Sequence, residues 1–292
     1  MTADGDGGDQ AQTQGDGHFE EFVEFLTAET RSDVRKTALN YFEGLSLSSE
    51  GVQLFKENDF AIGKRLRTLF HTSSSDQATI LRILTNICAH ASDCVQFVLS
   101  ADGESGSSLI TAVCSRFRTA DDLAAAESGA KLLSNISLHN AYAVWERLHG
   151  VWPDFVREAV ALLNREDREA YTNYVGYVLR NITTLNEVRA QVIEDESVLL
   201  DLLPLMNQER WPKRKRIAVD IVRNLCFQDN RHEQLLSRPQ VLVAVLTPLI
   251  GPEELSSEEN DLLPIELQYM EPSKTREPDV DVRIKLLETL YQ

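Results

Sequence analysis

Four asparagines recur in one setting along the chain, Asn86, Asn135, Asn181 and Asn224, at separations of 49, 46 and 43 residues. An Asn side chain offers two N–H donors and a carbonyl acceptor, so it can pair with a peptide backbone without reading the peptide's side chains. The same amide can equally cap a neighbouring turn inside its own protein. A second group with binding chemistry is the run Lys213, Arg214, Lys215 and Arg216, which follows Trp211-Pro212. Four adjacent bases can form a nuclear-import signal or a docking patch for an acidic partner, or a solvated helix face that balances nearby acids.

Other chemistry finds little support. Cys88, His90 and Cys94 lie close together, but no second half of a metal site accompanies them, and Cys114 and Cys226 stand alone. Free Cys is among the most often buried residue types, so buried thiols are expected and metal binding is not. There is no Gly-rich phosphate loop, no G-x-S-x-G and no H-E-x-x-H. The histidines fall mostly near helix ends, and the pairs Asp121-Asp122 and Glu166-Asp167 sit where helices should start, positions that suit acids electrostatically. No catalytic constellation emerges, so neither an enzyme nor a cofactor is expected.

Composition narrows the partner classes. The 292 residues carry 29 Lys+Arg against 46 Asp+Glu, a net charge of −17. Binding nucleic acid needs an excess of bases to displace counterions, and an anionic membrane repels an acidic chain, so neither is expected as a partner. The most apolar stretch, Val241 to Ile250, is far short of a membrane span and is interrupted by Thr247 and Pro248. No secretory signal is visible at the N-terminus, which points to a soluble intracellular protein, expected in the cytoplasm with the nucleus as a second location.

The elements that must carry the asparagines are helices. Residues 1–18 hold four Asp, five Gly and no Lys or Arg, which reads as a disordered acidic tail. From Phe19 to about residue 250 apolar residues recur at three- and four-residue spacing, broken by short polar segments such as Ser73–Asp76, Ala101–Ser108 and Trp152-Pro153-Asp154. Residues 251–277 read as an extended acidic, Pro-containing loop, and 278–292 as the start of one more helical repeat. No segment alternates with the period of a strand.

The asparagines mark internal repeats. They stand in Ile83-Leu84-Thr85-Asn86-Ile87, Leu132-Leu133-Ser134-Asn135-Ile136, Val178-Leu179-Arg180-Asn181-Ile182 and Ile221-Val222-Arg223-Asn224-Leu225, with a degenerate copy around Gly44. At about 100° per residue, the positions three before, two before and one after each Asn share an apolar arc, and the Asn lies just outside it. A period near 40–47 residues belongs to armadillo/HEAT units, so an all-α, right-handed armadillo/HEAT-like solenoid is expected. The pattern resembles the armadillo family, in which such an Asn binds the backbone of an extended peptide. Two of the sites, Asn135-Ile136-Ser137 and Asn181-Ile182-Thr183, also match the glycosylation pattern, but mid-helix placement in an intracellular chain argues against that use.

A narrower resemblance rests on several segments. These are Gly44-Leu45-Ser46 with Ser49-Glu50-Gly51, Arg223 to Phe227 with Arg231 to Leu236, Leu262-Leu263-Pro264-Ile265-Glu266-Leu267-Gln268-Tyr269, Arg276-Glu277-Pro278-Asp279-Val280-Asp281-Val282-Arg283 and Leu286-Leu287-Glu288. Together, over roughly Phe19 to Gln292, they resemble the HGH homolog family. That resemblance implies a cytosolic folding factor for translation elongation factor two, acting with the chaperonin and Hsp90-type chaperones. It also implies further sequence after the last helix, so the chain reads as cut short, with apolar surface exposed at its end. No family role attaches to Lys213–Arg216.

Three readings follow for the groove: a chaperone adaptor whose Asn86, Asn135, Asn181 and Asn224 contact a client, a general interaction scaffold, and a nuclear-transport receptor for basic peptides. The last pairs each Asn with a Trp four residues earlier. Here Arg82, Lys131, Tyr177 and Asp220 hold those places, so that reading ranks lowest.

Overall fold

The computed structural model of the chain describes residues 19–100, 109–119, 123–271 and 273–292. The expected acidic tail 1–18, the break Ala101–Ser108 and the pair Asp121-Asp122 lie outside the described residues. Among the described residues all regular structure is helical, with no strand. No helix among them is long and apolar enough to cross a membrane. The chain divides into two compact units, Met1–His139 and Asn140–Gln292.

The first unit holds α1 (19–24), α2 (Ser32–Leu45), α3 (Ser49–Thr72), α4 (Gln77–His90), α5 (Ser92–Leu99), α6 (Leu109–Thr119) and α7 (Leu123–His139). Helix α3 is two helices joined at a bend. Glu57 is extended, and Asn58, Asp59 and Phe60 take left-handed φ values of 48°, 54° and 57°. The bend turns Phe60 onto Phe97, ring centroids 4.5 Å apart and nearly parallel. At its other end α3 begins tightly against α2. The Ser48 side chain accepts from Gly51 N–H, and a Cβ on Gly51 would lie 2.0 Å from the Leu45 carbonyl oxygen, so only glycine fits. Helix α4 packs against α2, α3 and α7, burying Ile83, Leu84 and Ile87 completely.

The second unit holds α8 (Ala141–Val151), α9 (Phe155–Leu163), α10 (Glu169–Ile182), α11 (Asn186–Glu194), α12 (Glu196–Leu202), α13 (Pro212–Cys226), α14 (His232–Leu236), α15 (Pro239–Leu246), α16 (Ser257–Asp261), α17 (Ile265–Gln268) and α18 (Val280–Tyr291). Pro212 and Pro239 open α13 and α15, where a missing N–H costs nothing. Helix α10 packs against α8, α9 and α13, and α13 in turn against α18. Glu166 and Asp167, expected to open a helix, precede it instead: Glu166 pairs with Arg210 and Asp167 with Arg165, and Glu169 supplies the acid in the first turn of α10.

The segment expected to be an extended loop contains α16 and α17. Its first helix is set by a capping box: Ser256 Oγ accepts from Glu259 N–H, and the Glu259 carboxylate accepts from Ser256 N–H. The roots of the segment are pinned by Arg276, which donates to the Leu249 carbonyl at 2.8 Å and to both Glu253 oxygens.

Candidate functional site

The repeated asparagines lie near the C-terminal ends of α4, α7, α10 and α13, and the apolar arc predicted around them is the core of each unit. The residues three before, two before and one after each Asn are all buried. The residue just before the Asn does not always point to solvent: Thr85 and Ser134 are buried as well. Their hydroxyls donate to carbonyls of their own helix, Leu81 and Lys131, which allows burial without an unpaired polar group.

The asparagine amides reach back to the preceding repeat of their own unit. Asn86 Nδ2 donates to Ser46 Oγ at 2.9 Å, and Asn135 Nδ2 donates to the Thr85 carbonyl at 3.3 Å. In the second unit Asn224 Nδ2 donates to the Arg180 carbonyl at 3.1 Å and to Thr183 Oγ1 at 3.0 Å. The partners occupy fixed places in the repeat: the carbonyl one residue before its own Asn, and a hydroxyl two residues after. That hydroxyl is itself held, since Ser46, Ser137 and Thr183 each donate to the carbonyl three residues earlier. Asn181 is buried, and its Oδ1 accepts from the Arg180 guanidinium at 3.0 and 3.2 Å. The amides of Asn86, Asn135 and Asn224 therefore stitch repeat to repeat within their units.

Sequence reasoning read 278–292 as the start of one more repeat but did not find its register. Leu286-Leu287-Glu288-Thr289-Leu290 has the same register, with Thr289 in the Asn place 65 residues after Asn224. The acidic segment inserted before it hides the period. Of its apolar positions Leu286 is buried, whereas Leu287 and Leu290 are exposed, as are Ile284 and Tyr291 on the same helix.

The second unit also ties its charges together along this face. The Arg180 guanidinium lies 5.1 Å from the Tyr177 ring centre and 3.6 Å from the Asp220 carboxylate. Asp220 also accepts from Lys285 at 2.5 Å, and Arg223 pairs with Glu288 at 2.5 Å while resting 5.1 Å from the Phe227 ring. In the first unit Arg82 forms a fork with Glu43 at 2.7 and 3.0 Å. Thus Arg82 and Asp220, two of the places where an importin-like groove would carry Trp, hold charges that are neutralised inside the fold.

The basic run is not a free patch. Only Lys213 and Arg216 are exposed. Arg214 is fully buried, its guanidinium 4.4 Å from the Trp211 ring centre and donating to the carbonyls of Leu163 and Arg165. Lys215 is buried against Glu277 at 2.5 Å, and Arg216 pairs with Asp279 at 2.6 Å. The Arg216 hydrogen bond holds the Asp279 carboxyl below the usual range, helped by the N–H groups at the start of α18. The partner of these bases is the chain's own Glu277-Pro278-Asp279, far away in sequence, where spacing alone left an import signal, an acidic partner and a solvated face balancing nearby acids as the readings.

The four cysteines behave as packing residues. Cys88, Cys94 and Cys114 are buried, and burial pushes the half-buried Cys226 thiol up to about 11. Among the described residues no cluster of His, Cys, Asp and Glu has the geometry to hold a metal ion.

Three comparisons bear on what this arrangement belongs to. A family model described as a domain of unknown function, DUF383, matches residues 68–284. Protein HGH1 homolog of Drosophila melanogaster is 30% identical over 283 residues, spanning 93% of this chain and 75% of its own length. The Danio rerio protein of the same name is 33% identical over 282 residues, 92% of this chain and 71% of its own. Among solved structures, a designed armadillo repeat protein in complex with peptide (KR)4 superposes with a TM-score of 0.64 at 16% identity, covering 93% of this chain and 97% of that one. Computationally designed armadillo repeat proteins for modular peptide recognition give 0.65 at 16% identity, covering 93% and 98%. At such identities the likeness establishes the fold, which is all-α and armadillo-like.

Proposed function

The chain belongs to the HGH1 homolog family, and from that premise we propose that it is a cytosolic chaperone adaptor that holds translation elongation factor two during folding, in company with the chaperonin and Hsp90-type chaperones. The observation that carries this reading is the extent of the likeness: it runs over more than nine tenths of the chain, and the family model's match over residues 68–284 takes in the Leu262–Tyr269 and Arg276–Arg283 segments. A repeat scaffold suits the task, because a stack of helical units presents a long surface whose residues vary without disturbing the core. Within each unit the client is taken along the Asn-bearing helix ends, Asn86 and Asn135 in the first and Asn181 and Asn224 in the second. Asn224 spends its N–H groups on the fold, so its contribution to a client is the Oδ1 acceptor. Recognition then rests on side chains around the asparagines, with Leu138 and Phe227, three residues after Asn135 and Asn224, as exposed apolar contacts.

The test is binding and refolding with purified components. Elongation factor two, diluted from denaturant into chaperonin and ATP, should reach a higher native yield with the chain present, and should co-elute with it before release. No change in yield and no co-elution would leave the general interaction scaffold as the reading. A nuclear-transport role finds less support, because Arg82 and Asp220 are paired internally and Arg214 and Lys215 are buried.

A further inference from the structure

We propose that the segment 251–271 is a preformed docking element for a partner protein that offers an apolar pocket rimmed by Lys and Arg. Beyond Leu255 near its start, three large apolar side chains stand out from its second half: Leu262 is 86% exposed, Ile265 63% and Tyr269 80%. Single exposed apolar residues are ordinary on protein surfaces. Three within one short stretch, held by structure rather than left loose, call for a partner.

The holding is explicit. Leu267, between Ile265 and Tyr269, is anchored in the fold at 4% exposure. Gln268 Nε2 donates to the Leu263 carbonyl at 2.8 Å, and Leu267 N–H donates to the Pro264 carbonyl at 2.8 Å. The Ser256–Glu259 capping box fixes the preceding helix, and Arg276 and Glu277 fix the far root, Glu277 by its N–H to the Pro248 carbonyl at 2.9 Å. The element turns one anchored leucine inward and three apolar side chains outward. That arrangement lowers the ordering cost a loose peptide would bear on binding.

Charge selects the occupant. Between 251 and 271 there are seven carboxylates and no Lys or Arg. Glu253 is neutralised by Arg276, but Glu254, Glu258, Asp261 and Glu266 have no ion pair among the described residues. An anionic lipid surface would be repelled, as would a second copy of this acidic chain. A protein groove with an apolar floor and a basic rim satisfies both halves of the surface, and long-range attraction speeds its arrival.

The test places the photo-crosslinking amino acid benzoylphenylalanine at 262, 265 or 269 of the full chain, illuminates it in cytosol, and maps the adducts by mass spectrometry. The expected result is convergence on one protein, at a site whose surface is apolar and bordered by Lys or Arg. With that protein purified, Leu262→Ser/Ile265→Ser/Tyr269→Ser should weaken binding about tenfold or more at an unchanged melting temperature. Glu254→Gln/Glu258→Gln/Glu266→Gln should weaken it less and flatten its salt dependence. Adducts that scatter, fall on a second copy or on lipid, or map to a surface without basic rim would overturn the proposal, as would no adduct or binding indifferent to both variants. Client binding along the Asn-bearing surface is expected to survive the Ser variant, so the two interactions fail separately.

Discussion

Asn224 Nδ2 donates to Thr183 Oγ1 at 3.0 Å while Thr183 Oγ1 donates to the Arg180 carbonyl at 2.6 Å, so one hydroxyl links the end of α10 to α13. The Asn also reaches that same Arg180 carbonyl, and the three groups close a small ring of hydrogen bonds. A carbonyl in the last turn of a helix lacks its intrahelical partner, and here the next repeat supplies it. The motif joins secondary structure to repeat stacking: it ends one helix and sets how the next one lies on it.

Breaking that ring should cost stability in a way a client contact would not. Asn224→Ala leaves the Arg180 carbonyl and the Thr183 hydroxyl short of a partner in a half-buried place, at about 1–3 kcal/mol. Thr183→Val keeps the shape and removes both links of the hydroxyl while leaving the direct Asn224–Arg180 bond, at about 1–2 kcal/mol. Because the two residues share a bond, the double variant should lose less than the sum of the single losses. Urea denaturation of the four proteins measures this, and strictly additive losses would show that the ring is not a unit.

The buried pair of Lys215 and Glu277 makes a second expectation. Glu277→Gln takes the counter-charge from a buried lysine, and removing one partner of a buried pair typically costs about 3–5 kcal/mol. Replacing both, as Lys215→Met with Glu277→Leu, should recover most of the loss, since well-packed apolar groups often match a buried ion pair. Melting temperatures report the global effect. Amide exchange over 276–283 reports whether the segment comes away from α13, and equal protection in all variants would mean the pair does not hold it.

How much of this was legible in sequence depends on distance along the chain. The aliphatic triplets around Asn86, Asn135, Asn181 and Asn224 are local, and they foretold both the helices and the buried arc. The hydroxyl two places after the Asn was visible too, in disguise: Asn135-Ile136-Ser137 and Asn181-Ile182-Thr183 look like glycosylation sites, and in the fold the hydroxyl closes the helix end. By contrast, nothing near Lys213–Arg216 announces that Glu277 and Asp279 will meet it, because the partners are brought together only by the packing of α18 on α13. Whether an Asn faces a ligand or a neighbouring repeat was likewise undecidable locally. The same amide serves both, and only the position of the preceding helix end chooses. The helix within 257–261 was missed although Ser256 and Glu259 have the capping-box spacing, since the acids around it read as a charge run.

Thiol chemistry offers a direct check on packing. With its thiol near 11, Cys226 holds roughly a hundredfold less thiolate at neutral pH than an ordinary cysteine, so a thiolate-selective reagent should label it slowly. Cys88, Cys94 and Cys114 are shut away from reagent altogether and should react only when their unit opens. Labelling followed by intact mass should therefore show at most one slow addition in buffer and four in denaturant. Two or more fast additions in buffer would contradict the burial.

Acid should loosen the start of the C-terminal helix. The Asp279 carboxyl is depressed by Arg216 and by the N–H groups at the start of α18, so its ionised form is favoured in the folded state. A depressed carboxylate contributes stability that is complete above the unfolded value, near 4, and is lost as pH falls through the folded value below it. Lowering the pH from 5 toward 3 should therefore weaken the hold of Arg216 on Asp279, uncap α18 at Asp281 N–H and raise amide exchange in the first turn of that helix. Asp279→Asn should remove this pH dependence while keeping part of the cap, because an Asn side chain also accepts from the helix N-terminus. Exchange in the first turn that follows pH identically in both proteins would assign the acid response to some other group.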